Sequence, residues 1–450
     1  RFQGRIDKGS PTSGTVELHT GAVRARRAQH VAALDALEIV GEIEIRAGGW
    51  QARAEGIAVE GGGTQWATEA ELQATRGDDG HTAYDGHIDA LRVADLAPWL
   101  QIARVPASLA ALSRAGGTVR DLQLRFQDEG DELRYGYRGR FEDLALPASG
   151  TPAGFSGLRG EVAGDERGGR AVLQESAVTL DLPGKLVTPS VPLEAFEAEL
   201  EWRGHDGGWI FGMPQFRWEL WGVRGRARCA LTLPADRGSP VIDLAAQFSA
   251  QDVTRGKPLI PQVWGAGLRS WLDRSIVAGR APRGEIVIQG PLADSAFTAR
   301  PTGRWPLDID ATDADLSYHP DWPGISDIAA HLHFEGSSLS IEATKGTVAG
   351  SPVQKATAKF PDFATGQLLV DGSVSGETAR FYDFVSHSPV RETLKGLLTN
   401  TTASGPSTDA IHLDIPVKDA VHTQVSGEID VNGVLLRQQG LPEPIRDVRG

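Results

Sequence analysis

The sequence predicts a mainly β protein built from antiparallel strands with one wet face. Two observations carry that prediction. Apolar and polar residues alternate with period two from end to end, the signature of a half-buried strand. The 450 residues also include 54 Gly and 26 Pro, against a hydrophobic fraction of 40%, which suits frequent chain reversals better than large helices.

The alternation is clearest in VRGRARCALTL, from Val223. There Arg224, Arg226 and Arg228 point one way, while Val223, Ala227, Cys229, Leu231 and Leu233 point the other. In ESAVTLDLP, from Glu175, the residues Val178, Leu180 and Leu182 share a face opposite Thr179 and Asp181. The same spacing sets Ile286 with Ile288, Leu339 with Ile341, Ile411 with Leu413 and Ile415, and Ile429 with Val431. These apolar residues are the candidate lining of a binding face. At about 12–15 residues per strand and turn, the chain holds roughly 30–35 strands. Three consecutive stretches divide it, 1–150, 151–300 and 301–450.

Helical spacing is rare. PQVWGAGLRSWLDRSIVAG predicts a short helix near 261–279, with Trp264, Leu268, Trp271, Leu272 and Ile276 on one stripe. Short helices are also expected near 378–398, one through FYDFV from Phe381 and one with Ser388 as N-cap and Pro389 at its first position. Weaker helical patterns start at Leu96 and Ala107.

A short motif recurs: FSGLRG from Phe155, ISDIAA from Ile325 and IRDVRG from Ile445. Each has a proline just upstream, Pro152, Pro323 or Pro444, and the intervals are unequal, so no fixed-period solenoid is implied. The second copy follows Tyr318, Pro320 and Trp322, where the prolines fix the backbone and deny it ladder donors. The motif reads as a strand-entry device.

The formal net charge of −14 argues against nucleic acid as a partner, because phosphate binding needs clustered Lys and Arg. A single cysteine, Cys229, excludes an intramolecular disulfide and any multi-cysteine metal site. No run approaches 18 apolar residues, so no helix here spans a membrane. The absence of a signal peptide and of an initiating Met, together with the stop on DVRG, predicts the interior of a longer protein.

Several constellations have a functional and a plainer explanation. Asp308, Asp310, Asp313 and Asp315 are spaced as in a calcium loop, yet no glycine makes the sharp turn and no bidentate Glu follows. His331 and His333 share a strand face near His319, too few ligands for zinc. The run Arg24 to Arg27 fits either an anionic head group or a solvated turn. Trp202, Trp209, Trp218 and Trp221 could stack a sugar or fill a sheet face. No G-x-S-x-G, Walker loop or dinucleotide fingerprint occurs, so no enzyme chemistry, cofactor or metal is expected.

Many one-sided strands with few helices to cover them leave two solutions: sandwiches of paired sheets, or one long sheet that curls around its own apolar face. A trough of the second kind suits acyl chains. Exposing one CH₂ costs about 0.8 kcal/mol, so two tails of ~16 carbons cost on the order of 20 kcal/mol in water.

From about Leu186 to Val417 the chain resembles the YhdP branch of the AsmA-like proteins of Gram-negative envelopes. The resemblance lies in LEAFEAELEW (from Leu193), LTLP (ending at Pro234), PLIP (from Pro258), WLDRSIVAG (from Trp271), IVIQGPL (from Ile286), the Y-x-P-x-W-P step at Tyr318 to Pro323, FVSHSP (from Phe384) and IHLDIP (from Ile411). It implies a curled antiparallel sheet forming a U-shaped hydrophobic groove, a β-taco. It further implies a periplasmic bridge that carries phospholipid or another acyl-chain lipid between inner and outer membrane. An N-terminal helix anchor would lie outside this chain, as would the segments that meet either membrane. The sequence departs from the family at AFTA (from Ala296), where a phenylalanine-rich step is reduced. Two other classes stay open: an envelope scaffold or outer-membrane assembly factor binding proteins along its sheet edge, and a carbohydrate-acting β-rich enzyme.

Overall fold

A computed structural model describes the chain except residues 8–9, 28–29, 47, 62–63, 78–79, 96–113, 129–132, 149–152, 237, 263–264, 293–301, 321, 364, 387–400, 418–421 and 440–441. Among the described residues 26 strands occur, and 24 of them belong to one antiparallel sheet that does not close into a barrel. They run up to 16 residues, against the roughly 30–35 long strands expected for the whole chain. There is one large sheet, not the pair of sheets that a sandwich needs. The chain forms two compact units, residues 1–183 with 189–218, and residues 184–188 with 219–450.

The first unit contains β1 (Phe2–Asp7), β2 (Ser10–Thr20), β3 (Val23–Arg27), β4 (His30–Leu34), β5 (Ala36–Arg46), β6 (Gly49–Gly61), β7 (Thr64–Arg76), β8 (Thr82–Arg92), β9 (Gly116–Asp128), β10 (Leu133–Leu146), β11 (Gly154–Asp165), β12 (Gly168–Asp181) and β13 (Ser190–His205). β14 (Gly208–Leu220) lies at the boundary. Each strand pairs with the next in sequence, except that β2 pairs with β5 and the hairpin β3–β4 forms a sheet of its own. The run Arg24 to Arg27 falls in that hairpin. Phe141, Ala171, Leu173 and Ala198 form a buried cluster, with Phe196, Leu200 and Trp202 packed on it.

The second unit contains β15 (Val223–Leu233), β16 (Val241–Ala250), β17 (Ile276–Pro291), β18 (Leu307–Leu316), β19 (Ile325–Glu335), β20 (Ser338–Val348), β21 (Ser351–Phe360), β22 (Gln367–Glu377), β23 (Thr401–Ser404), β24 (Pro406–Pro416), β25 (Gln424–Gln438) and β26 (Ile445–Arg449). A 3-10 helix (Val253–Leu259) and α1 (Ala266–Ser275) precede β17, and α2 (Thr378–Ser386) follows β22. The helix expected to run to Gly279 stops at Ser275. Ile276 already belongs to a long strand: its amide still closes the last helical turn on the Leu272 carbonyl, while its backbone is extended and lies opposite Leu316 of β18. The helix through FYDFV is present as α2. The helices expected from Leu96, Ala107 and Ser388 lie outside the described residues, as does AFTA from Ala296.

The recurring motif has a structural cause that spacing alone did not reveal. Its third residue is Gly157, Asp327 or Asp447, and all three hold positive φ, at 85°, 54° and 56°. Fourteen positions upstream of each stands a second left-handed residue: Asp143, Asp313 or Gly433, at 51°, 49° and 73°. The pairing around the three couples is the same. Leu144 faces Leu158 and Leu146 faces Phe155; Ala314 faces Ile328 and Leu316 faces Ile325; Val434 faces Val448 and Leu436 faces Ile445. Each left-handed residue sits at a register shift, a β-bulge that bends the strand and re-aims its side chains. Gly tolerates this backbone without penalty, and Asp, like Asn, does so better than most side chains.

Tyr318 and Trp322 pack as an aromatic knot ahead of β19. Their rings lie 6.2 Å apart, and Trp322 meets Phe384 of α2 at 5.6 Å. Trp271 Nε1 of α1 donates to the Tyr318 carbonyl at 2.9 Å. Burial raises the Tyr318 phenol far above its usual range. The aromatic residues therefore clamp both helices to the strand entry.

Candidate functional site

Register carries the apolar face of the second unit from strand to strand, since directly opposed residues in an antiparallel pair share a face. One row runs Phe248, Gly284, Ile309, Leu332, Ile341, Ala358, Val370, Leu413 and Val425, across β16 to β22, β24 and β25. The adjacent row runs Ala227, Ala246, Ile286, Leu307, Phe334, Leu339 and Phe360. Neither row contains a charged or polar side chain.

The first unit repeats the arrangement. Gly14, Ile43, Ala52, Leu72, Gly86, Leu124, Tyr137, Gly164, Gly169 and Trp202 form one row across β2, β5 to β13. Aromatic rings cover Gly164 and Gly169, from Tyr137 and Trp202: a Cβ on Gly169 would run into the indole, which takes the space a side chain would fill. This is packing, the plainer of the two roles open to Trp202. Trp221 instead sits with φ 49° in the turn before β15.

The face is not sealed. Leu72 is 41% exposed, Val425 39% and Ile429 43%.

The sequence-nominated residues of the second unit fall together. Leu231, Leu233, Ile286, Ile288, Leu339, Ile341, Ile411, Leu413, Ile415, Ile429 and Val431 all point to this one face. Leu413 is buried, Ile429 is exposed and the others are half-buried. In the first unit Val178 is buried opposite Leu193, and Leu180 faces Val191 on one side and Phe155 on the other. Leu182 lies just beyond β12, its amide bonded to the Pro189 carbonyl. Nomination from sequence missed Ile309, Leu332, Phe334, Phe360 and Val370. The signal was present in β19 as Ile328, Ala330, Leu332 and Phe334, whereas in β18 the acidic residues drew attention from Leu307 and Ile309.

The opposite face is polar and internally paired. Arg226 donates to Gln247, and Gln247 to Glu285 on the next strand at 3.0 Å. His333 Nδ1 lies 2.7 Å from Asp308, and His331 Nδ1 lies 2.8 Å from Asp310. The hydrogen bond to Asp310 raises the His331 pKa above its ordinary value. Asp315 accepts from the Asp327 amide at 3.1 Å, and Asp313 lies 3.6 Å from Arg280. The acidic run and the strand histidines thus serve each other. Among the described residues one group, His87, Asp89 and Asp121, could converge on a metal ion, but Arg140 already pairs with Asp121. Cys229 is half-buried on the apolar face, and burial raises its thiol pKa.

An open antiparallel sheet, apolar along one face and salt-bridged along the other, defines a one-sided β-sheet protein. The chain belongs to the YhdP family, described as YhdP protein, which matches it over residues 1–450. It is 21% identical over 462 aligned residues to the intermembrane phospholipid transporter YhdP of Escherichia coli strain K12. That alignment covers 99% of this chain and 36% of the relative, so the chain spans about a third of the relative's length. No solved structure matches. Among the described residues no helix is long and apolar enough to cross a membrane.

Proposed function

We propose that this chain is a periplasmic segment of an intermembrane lipid bridge, and that phospholipid acyl chains lie on the apolar face of its sheet. The observation that carries this is the unbroken apolar row from Phe248 to Val425, half-buried at most positions, exposed at Val425 and continuous over nine strands. A surface of that kind lowers the on the order of 20 kcal/mol cost of exposing two tails without needing any specific contact. Small residues such as Ala330, Ala343 and Ala358 leave room above the sheet for chains of different shape. The name of the E. coli relative supports the same cargo. Curling of the sheet into a groove would shield the tails on both flanks. The nominated residues from Leu231 to Val431, with Val178, Leu180 and Leu182, would line it.

Organic extracts of the purified protein, analysed by mass spectrometry beside a β-sandwich of similar size, test the proposal. Phospholipid should be bound in excess of the control, and Ile341→Asp should reduce it at least threefold while the strand content by circular dichroism is unchanged. A lipid-free parent protein at good yield would reject it.

A further inference from the structure

We propose that Asp409 selects lipid by headgroup, receiving the ammonium of an ethanolamine-type phospholipid at the polar end of the apolar face. The inference rests on the lipid-carrying role proposed above.

Along β24 the residues Ile415, Leu413, Ile411, Asp409 and Ser407 share one face, so polarity changes from hydrocarbon to carboxylate and hydroxyl within a single strand. Asp409 is flanked across the ladder by Val374 and Ile429. Ser407 is flanked by Gly376 and Val431 and is 5% exposed, and Ser351 beside Gly376 is 6% exposed. Asp409 Oδ1 is shielded from water and has no hydrogen-bond partner among the described residues. Among the described residues its Oδ2 accepts only a long bond from Ser407 Oγ, 3.4 Å. Burial raises the carboxyl pKa, as such surroundings require.

A carboxylate set between Val374 and Ile429 without a cation is costly to keep. An arriving ammonium removes that cost, whereas a glycerol headgroup brings no positive charge. The geometry fits a lipid lying along the strands. From Asp409 to Ile415 the chain rises about 20 Å. That exceeds the ~15 Å filled by one leaflet's tails in a ~30 Å hydrocarbon core. Tails over Leu413 and Ile415 therefore place the headgroup beside Asp409 and Ser407.

The test loads the purified protein from vesicles of equimolar phosphatidylethanolamine and phosphatidylglycerol, re-isolates it and quantifies both lipids by mass spectrometry. The parent should hold the ethanolamine lipid in about fivefold excess, the scale of a partly exposed ion pair. Asp409→Asn should return the ratio to that of the vesicles, and Asp409→Glu should keep the excess. A parent ratio equal to the vesicles, or an excess that survives Asp409→Asn, overturns the headgroup role while leaving lipid carriage intact. A parent that binds neither lipid overturns both. Loss of the excess when soluble phosphoethanolamine is added at the lipid concentration would show a site for a free phosphoester, against the proposal.

Discussion

Phe248 lies across Gly284 on the neighbouring strand, its ring standing where the Cβ of any larger residue would be, 2.2 Å from Cζ. The two form one unit of the apolar row: the glycine supplies the hollow and the ring fills it. Gly284→Ala must displace the ring and should destabilise the protein by about 1–3 kcal/mol in urea denaturation. Combining it with Phe248→Leu should recover part of that loss. A Gly284→Ala protein as stable as the parent would mean that the ring does not occupy this position in solution.

The left-handed residues give a second prediction. Asp327 holds φ 54° at a bulge, where a β-branched side chain is least tolerated. Asp327→Val should cost about 1–3 kcal/mol. Asp327→Asn should be tolerated within about 0.5 kcal/mol, since Asn accepts the same backbone and only a surface pair with Lys345 is lost. Equal stability of the two variants would remove backbone conformation as the reason for Asp at this position. The equivalent Gly157 is not open to Asp, because a Cβ there would meet the Ala177 carbonyl oxygen at 2.6 Å.

These positions show what was legible in the sequence and what was not. Period two gave the strands and, in β15 and β24, the correct face, because no bulge interrupts the register between Val223 and Thr232 or between Pro406 and Pro416. Where a bulge does intervene, as between Ala311 and Ala314, alternation slips by one residue and the pattern loses its phase. The motif was visible as three similar strings. Its partner positions, Asp143, Asp313 and Gly433, were not, because an Asp in a strand looks like any solvent-facing acid until its φ is known. Asp409 is concealed for a related reason: alternation assigns it to the apolar face of Ile411, Leu413 and Ile415, but a lone acid at a strand end looks solvated until its burial is known.

His331 supplies a pH-dependent prediction. It faces Asp310 and Asp308 on β18 and Glu342 on β20, and its pKa is raised in the folded protein. Its contribution to stability is therefore complete below the unfolded value of about 6.5 and is lost as pH rises through the folded value. Asp310→Asn should lower the imidazole midpoint measured by NMR titration and flatten that part of the stability profile. An unchanged midpoint would show that the pairing with Asp310 does not persist in water.

Nearly every strand within each unit is hydrogen-bonded to its immediate successor in the chain, the exceptions being the steps from β2 to β5, from β22 to β24 and from β23 to β25. Loop closure is therefore short almost everywhere, which is unusual for an all-β chain, where distant pairings ordinarily slow folding. A chain emerging from the ribosome can lay each new arm against the one just formed, growing by accretion rather than waiting for its far end. At every stage the newest strand offers an unsatisfied ladder to whatever comes next, so the nascent protein is a template for its own continuation and, until the next arm arrives, for any stray strand that reaches it first.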